Sequence, residues 1–113
     1  MLEKFLPRIE FDSYEDFKEN YKVNAPEDFN FAYDIVDAWA KEEPDKRALL
    51  WCNDHDEERT FTFTDISKMS NQVANMFRAK GLKKGDVVML ILRRRWEYWI
   101  TATGLMKLGV IIV

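Results

Sequence analysis

A single cysteine, Cys52, in a chain of 113 residues excludes an internal disulfide and any thiolate-rich metal knot, and it fits a reducing compartment. A single histidine, His55, leaves no second imidazole to complete a metal pair. Four glycines and three prolines are too few for a collagen-like or low-complexity chain. The longest apolar run, Val87-Val88-Met89-Leu90-Ile91-Leu92, falls far short of the roughly 20 residues that a membrane-spanning helix needs. The opening residues MLEKFLPRIEF contain acids and no long apolar stretch. Neither a secretory signal nor an arginine-rich transit peptide is read there, and the expected address is the cytoplasm.

What is present belongs to a globular chain: 47% hydrophobic and 14% aromatic residues, enough for one core at 13.5 kDa. The net charge of −3 hides an asymmetry. Residues 1–59 hold 8 Lys/Arg against 17 Asp/Glu, whereas residues 60–113 hold 9 against 3. Either the two halves lie against each other and partly neutralise, or the basic half meets a phosphate-bearing ligand.

Periodicity and punctuation give the elements. Ser13 followed by acids caps a short helix over about 14–22, with Tyr14, Phe17 and Tyr21 on the stripe to be buried. After Asn24-Ala25-Pro26, Asn30 caps a second helix with Phe31, Ile35, Val36 and Trp39 on its apolar face, and Pro44 stops it. Residues 47–52 and 59–63 form a hairpin around the polar tip 53–58, with Phe61 and Phe63 on one face. Thr64 is expected to cap a long amphipathic helix over 65–80, lined inside by Ile66, Met69, Val73, Met76 and Phe77. Gly81 ends it, with Leu82 folding back onto Phe77. Residues 87–92, apolar on both faces, read as a central strand covered on both sides. A helix over 96–108 ended by Gly109, then the strand 110–113, completes a right-handed parallel strand-helix-strand unit. The fold class is α/β, and the apolar ending at Val113 reads as part of a longer protein.

Few residues carry chemistry. The junction after the strand 87–92 is where open α/β sheets place ligands, and here it reads Arg93-Arg94-Arg95-Trp96. No glycine lies between Gly85 and Gly104, which argues against a dinucleotide fingerprint. The arginines with Trp96 and Trp99 suit phosphate or stacked bases. The plainer expectation is that at least one arginine pairs with an acid of the N-terminal half and that both tryptophans anchor a core or an interface. His55 among Asp54, Asp56, Glu57 and Glu58 reads as a solvated loop, because adjacent residues at a hairpin tip diverge. Cys52 reads as an inert core thiol, and Met69, Met76 and Phe77 as core. Gly104 within the last helix marks close approach of a neighbouring backbone. No catalytic, cofactor-binding or metal-binding residue is assigned.

The order of segments is more specific than any one of them. Phe29-Asn30-Phe31-Ala32-Tyr33-Asp34-Ile35-Val36-Asp37-Ala38-Trp39-Ala40 resembles the opening of the AMP-forming acyl-CoA synthetases, especially the medium-chain and aryl-acid branch. Glu43-Pro44-Asp45-Lys46, Ala48-Leu49-Leu50-Trp51, Phe61-Thr62-Phe63-Thr64-Asp65, Ser70-Asn71 and Ala74-Asn75 follow in that family's order. Gly81-Leu82-Lys83-Lys84-Gly85-Asp86-Val87-Val88 resembles its Gly-(Val/Leu)-x-x-Gly-Asp-x-Val turn and strand. Glu97-Tyr98-Trp99 and Lys107-Leu108-Gly109-Val110 resemble its Glu-Trp-Trp and (Lys/Arg)-x-Gly-(Ala/Val) elements. The resemblance covers about residues 27–113. The chain departs from the pattern at Arg93 and Trp96, where prolines are common in the family.

The resemblance implies the N-terminal portion of an adenylate-forming ligase large domain over 27–113, preceded by a variable helical extension over 1–26. It implies a parent enzyme that uses ATP, magnesium and coenzyme A to turn a medium-chain fatty or aryl acid into an acyl-adenylate and then a thioester. The family's phosphate loop and its other site motifs lie beyond the matched segments, so the 113 residues alone are expected to be inactive and to bind none of these cofactors tightly. No nucleic acid or membrane span is expected, and self-association through an open strand edge is. The alternative is a small α/β interaction module that binds an anionic partner through Arg93, Arg94, Arg95 and Trp96.

Overall fold

A computed structural model describes residues 2–113, without the side chain of Leu2. After a short turn at Leu2–Lys4, helix α1 spans Tyr14–Asn20, capped by the Ser13 side chain, which accepts from the Asp16 amide at 3.1 Å. The expected burial of its aromatic stripe does not occur: no residue of α1 is buried, and Tyr14 faces solvent. Phe17 and Tyr21 pack instead on Phe11, and Arg8 grips Asp16 with two bonds of 2.6 and 2.7 Å. An amphipathic turn this short lowers its exposed area by folding on its own flank.

The second helix begins at the expected cap, Asn30, whose side-chain oxygen accepts from the Ala32 amide at 3.0 Å. It opens as wide π-helical turns over Ala32–Asp37 and tightens into α2, Ala38–Glu42, before Pro44. Val36 is buried, whereas Phe31 is half exposed.

Strands β1 (Arg47–Cys52) and β2 (Glu58–Thr62) pair antiparallel as the expected hairpin, with Leu49 opposite Phe61 and Trp51 opposite Arg59. Helix α3 spans Phe63–Ala79, and its cap is Thr62, not Thr64. Thr62 and Asp65 satisfy each other's backbone amides at 3.1 and 2.9 Å, the reciprocal arrangement that a Thr-x-x-Asp spacing allows and that Thr64 lacks. Phe63 is thereby withdrawn from the strand, and it stacks on Trp39 at 5.8 Å. Phe61, Val36, Ile66 and Ile100 form the heart of the core.

Helix α3 presents Ile66, Ser70 and Ala74 inward, while Met76 is exposed on its flank rather than in the core. Gly81, at φ +93°, closes the helix with its amide on Arg78 and the Leu82 amide on Phe77, as the Gly-Leu pair implied. Helix α4, Trp96–Leu108, packs on α3 and ends at left-handed Gly109. A Cβ on Gly104 would meet Val73 at 2.7 Å and the Ser70 carbonyl at 2.9 Å, so the expected close approach is the α3–α4 contact itself.

Strands β3 (Val87–Val88) and β4 (Ile111–Ile112) pair in parallel across α4, and the Leu90 amide extends the ladder to the Val113 carbonyl at 2.9 Å. The strand-helix-strand unit is present, but 87–92 is not covered on both faces. Val88 and Leu90 are half buried, whereas Met89 and Ile91 are 70% and 79% exposed. No described residue packs over that second face closely enough to bury it. No helix among the described residues is long and apolar enough to cross a membrane.

Candidate functional site

The arginine loop and the hairpin enclose a cleft of about 730 Å³. Trp51, Glu57, Glu58 and Arg59 come from the hairpin, and Arg93, Arg94, Arg95, Trp96 and Glu97 from the junction of the strand region with α4. Pairing of β1 with β2 sets Trp51 beside Arg59, and the Trp51 indole N–H donates to the Arg94 carbonyl at 2.6 Å, tying loop to hairpin. Trp96 lies 5.2 Å from the Phe61 ring, and the Arg59 guanidinium lies 5.0 Å from its ring centre. Arg94 takes φ +35°, a left-handed conformation uncommon for a residue with a side chain.

The charges here are mixed. Arg95 donates to Glu97 at 3.1 Å, and this local pair replaces the expected pairing of the triplet with an acid of the N-terminal half. Burial pushes the Glu97 carboxyl up, but the Arg95 hydrogen bond and the nearby Arg95 and Arg59 charges outweigh it and hold the group below its ordinary value. The other oxygen of Glu97 is buried without a hydrogen-bond partner. Of the two tryptophans expected as anchors, Trp96 is half buried and Trp99 is mostly exposed.

Among the described residues, one buried ion pair joins the two oppositely charged halves. Lys107, whose side chain is 1% exposed, donates to Asp37 at 2.8 Å and to Asn71 at 2.7 Å, and its ammonium lies 5.6 Å from the Tyr33 ring centre. This cation joins α4 to α3 and to the π-helical segment, and Asn30 adds a 2.8 Å bond to the Met106 carbonyl. In the sequence Lys107 stands out only as part of the Lys107-Leu108-Gly109-Val110 segment. The available signal was a lone charge in the otherwise uncharged stretch from Tyr98 to Leu108. Trp51 and Arg59 were likewise read as strand residues, because their meeting with the loop is set only by hairpin register and tertiary packing.

Elsewhere the chemistry is sparse. Cys52 is exposed rather than a core thiol, since strand alternation turns it outward beyond Trp51. At the hairpin tip, Asn53 organises the turn by accepting from the amides of His55 and Glu57, and His55 is exposed. Among the described residues, no three His, Cys, Asp or Glu side chains stand close enough to hold a metal. The glycines at 81, 85, 104 and 109 are dispersed and build no phosphate-cradling loop. The described residues thus supply neither a glycine-rich phosphate loop nor a three-ligand metal cluster, and no step of nucleotide chemistry is assigned to them.

Residues 36–113 match the AMP-binding enzyme family. The chain belongs to that family. Acyl-coenzyme A synthetase ACSM3, a mitochondrial protein of Homo sapiens, is 34% identical over 109 residues, covering 91% of this chain and 19% of the relative. A fatty acyl-adenylate ligase from L. pneumophila, solved with acyl adenylate and pyrophosphate, superposes with a TM-score of 0.67 at 25% identity. That match covers 72% of this chain and 14% of the ligase. The N-terminal subdomain of Klebsiella oxytoca NpsA, solved with anthranilyl-AMSN, gives a TM-score of 0.62 at 30% identity over 71% of this chain and 20% of that one. The chain thus spans about one fifth of the length of its human relative. The α/β architecture read from the sequence is that of the N-terminal part of adenylate-forming ligases.

Proposed function

We propose that the polypeptide carrying these residues is an acid–thiol ligase that activates a carboxylic acid with ATP and passes the acyl group to coenzyme A. The match of residues 36–113 to the AMP-binding enzyme family carries this reading. A medium-chain fatty or aryl acid is the proposed substrate, supported by the acyl-coenzyme A synthetase relative and the anthranilyl-bearing neighbour. In that reaction the carboxylate would attack the α-phosphorus of ATP and expel pyrophosphate, the thiol would then displace AMP, and groups on segments other than these residues would hold the nucleotide and any magnesium that screens its charge.

The 113 residues contribute scaffold. Through Lys107 and Asn30 they fix the relative position of α3, α4 and the π-helical segment, and the two parallel strands supply an edge and an apolar face. Holding elements at fixed separation is how a frame supports chemistry performed by groups on other segments. Residues 1–26 are proposed as a variable extension, and 27–113 as the opening of the ligase domain. A cytoplasmic address is kept as a proposal, against the mitochondrial address of the human relative; immunodetection in fractionated cells separates the two.

The test is acid-dependent release of pyrophosphate from ATP by the parent polypeptide, read with octanoate and with benzoate, together with thioester formation on coenzyme A. Release with either acid and a thioester product is expected. Absence of both products with an acid panel overturns the reading. The 113-residue chain alone is expected to catalyse no ATP–pyrophosphate exchange, and robust exchange by it overturns the scaffold role.

A further inference from the structure

The cleft between hairpin and arginine loop holds more cationic donors than its own acids use. Arg95 is spent on Glu97. Arg59, Arg93 and Arg94 have no ion pair and no side-chain hydrogen bond among the described residues, although Glu57 and Glu58 line the same cleft. Glu57 is turned toward Asn53, which donates to it at 2.6 Å. The Arg94 backbone is held left-handed while its carbonyl is fixed by Trp51, so the loop is pinned in a costly shape with Arg93 and Arg94 lining the same cleft as Arg59. A guanidinium presents planar paired donors that match phosphate oxygens, and three unpaired ones around about 730 Å³ leave room for such a group. The faces of Trp96 are engaged by Phe61 and Arg59, so base stacking there is disfavoured and the phosphate is the recognised feature.

We propose that this cleft is a phosphate-binding site, in which Arg59, Arg93 and Arg94 hold a phosphate group of a small molecule. The site includes Arg93 and Trp96, where the chain departs from the family pattern. It does not depend on the ligase reading, because the test is equilibrium binding to the 113-residue chain and involves no turnover.

The experiment is a ¹⁵N NMR titration of the full 113-residue chain with inorganic pyrophosphate, and in parallel with AMP, following the Trp51 indole N–H that reports on the Arg94 carbonyl. A saturable shift of that resonance is expected, weakened about tenfold by the double variant Arg93→Gln/Arg94→Gln, which lies on an exposed loop. Arg78→Gln, on the exposed end of α3, is the control and leaves binding unchanged. A thermal melt of each variant confirms that the fold persists. Tighter binding of AMP than of pyrophosphate assigns the site to a nucleotide phosphate, and the reverse assigns it to free phosphate. No saturable shift, an undiminished shift in the double variant, or equal displacement by sulfate overturns the proposal, the last marking an adventitious ion only.

Discussion

Helix α4 and the segment through β3 and β4 are both drawn from strongly apolar sequence, yet α4 is closed by amphipathic α3 and the strand segment is open on one face. Between the helices, Ser70, Ala74 and Gly104 let the backbones approach, and Lys107 is sunk among Asp37 and Asn71. On β3 and the extended segment that follows it, alternate side chains stay bare, Met89 and Ile91 most of all. A run of apolar residues specifies that a surface is fit for burial. Which surface is buried depends on a partner with matching shape, and only the helix pair has its partner within these residues.

The largest effect is expected where that closure depends on a charge. Lys107→Met leaves Asp37 and Asn71 without their buried cation and should cost about 3 kcal/mol in urea unfolding. Adding Asp37→Asn to it should recover part of the loss, since the two residues are coupled. A cost under about 1 kcal/mol would mean that the network is not a clamp.

Gly104→Ala tests the backbone approach. The exchange favours a helix by roughly 1 kcal/mol, but the new methyl meets Val73 and the Ser70 carbonyl below contact distance. A net destabilisation of about 2 kcal/mol is expected, and stabilisation would show that the helices are not in close contact.

A smaller effect belongs to the cap at the hairpin junction. Thr62→Ala should cost about 1 kcal/mol near pH 6. The Asp65 carboxyl is held below its ordinary value of 3.8, chiefly by the Thr62 amide and then by its hydroxyl. A depressed folded-state pKa stabilises the fold above the unfolded value, and this contribution is lost as pH falls through the folded one. The gap between wild type and Thr62→Ala should therefore narrow below about pH 4. A gap that widens there contradicts the assigned cap.

The smallest effect on stability is expected on the open strands. Ile91→Lys should change unfolding free energy by less than about 0.5 kcal/mol, because the side chain contacts little. We propose that the chain self-associates through this face and edge, so the same variant should reduce concentration-dependent sedimentation. A cost above about 1.5 kcal/mol would show that the face is covered within the chain.

The candidate site was legible only on one side. Arg93, Arg94, Arg95 and Trp96 stand together in sequence and were visible as a cluster, whereas Trp51 and Arg59 joined them through hairpin register. Local rules placed Ser13, Asn30, Gly81 and Gly109 correctly, because caps and left-handed residues act within a few positions. The same rules misplaced the start of α3 by choosing Thr64 over Thr62, where the reciprocal partner three residues on decides. Cys52 in its apolar strand and Met76 on its helical stripe read as core residues, and both face outward.

The sequence by itself determined the element order, the hairpin, the parallel strand-helix-strand unit, the small-residue contact at Gly104 and, through ordered segments, the family. These follow from short-range sterics, hydrogen bonding and periodicity, which are written in neighbouring residues. The tertiary structure alone decided that Lys107 is buried and paired, that the arginines form one wall of a cleft, and that one face of the strands remains open. Those outcomes depend on which distant surfaces meet, and the same side chain is stable buried or bare according to the partner it finds.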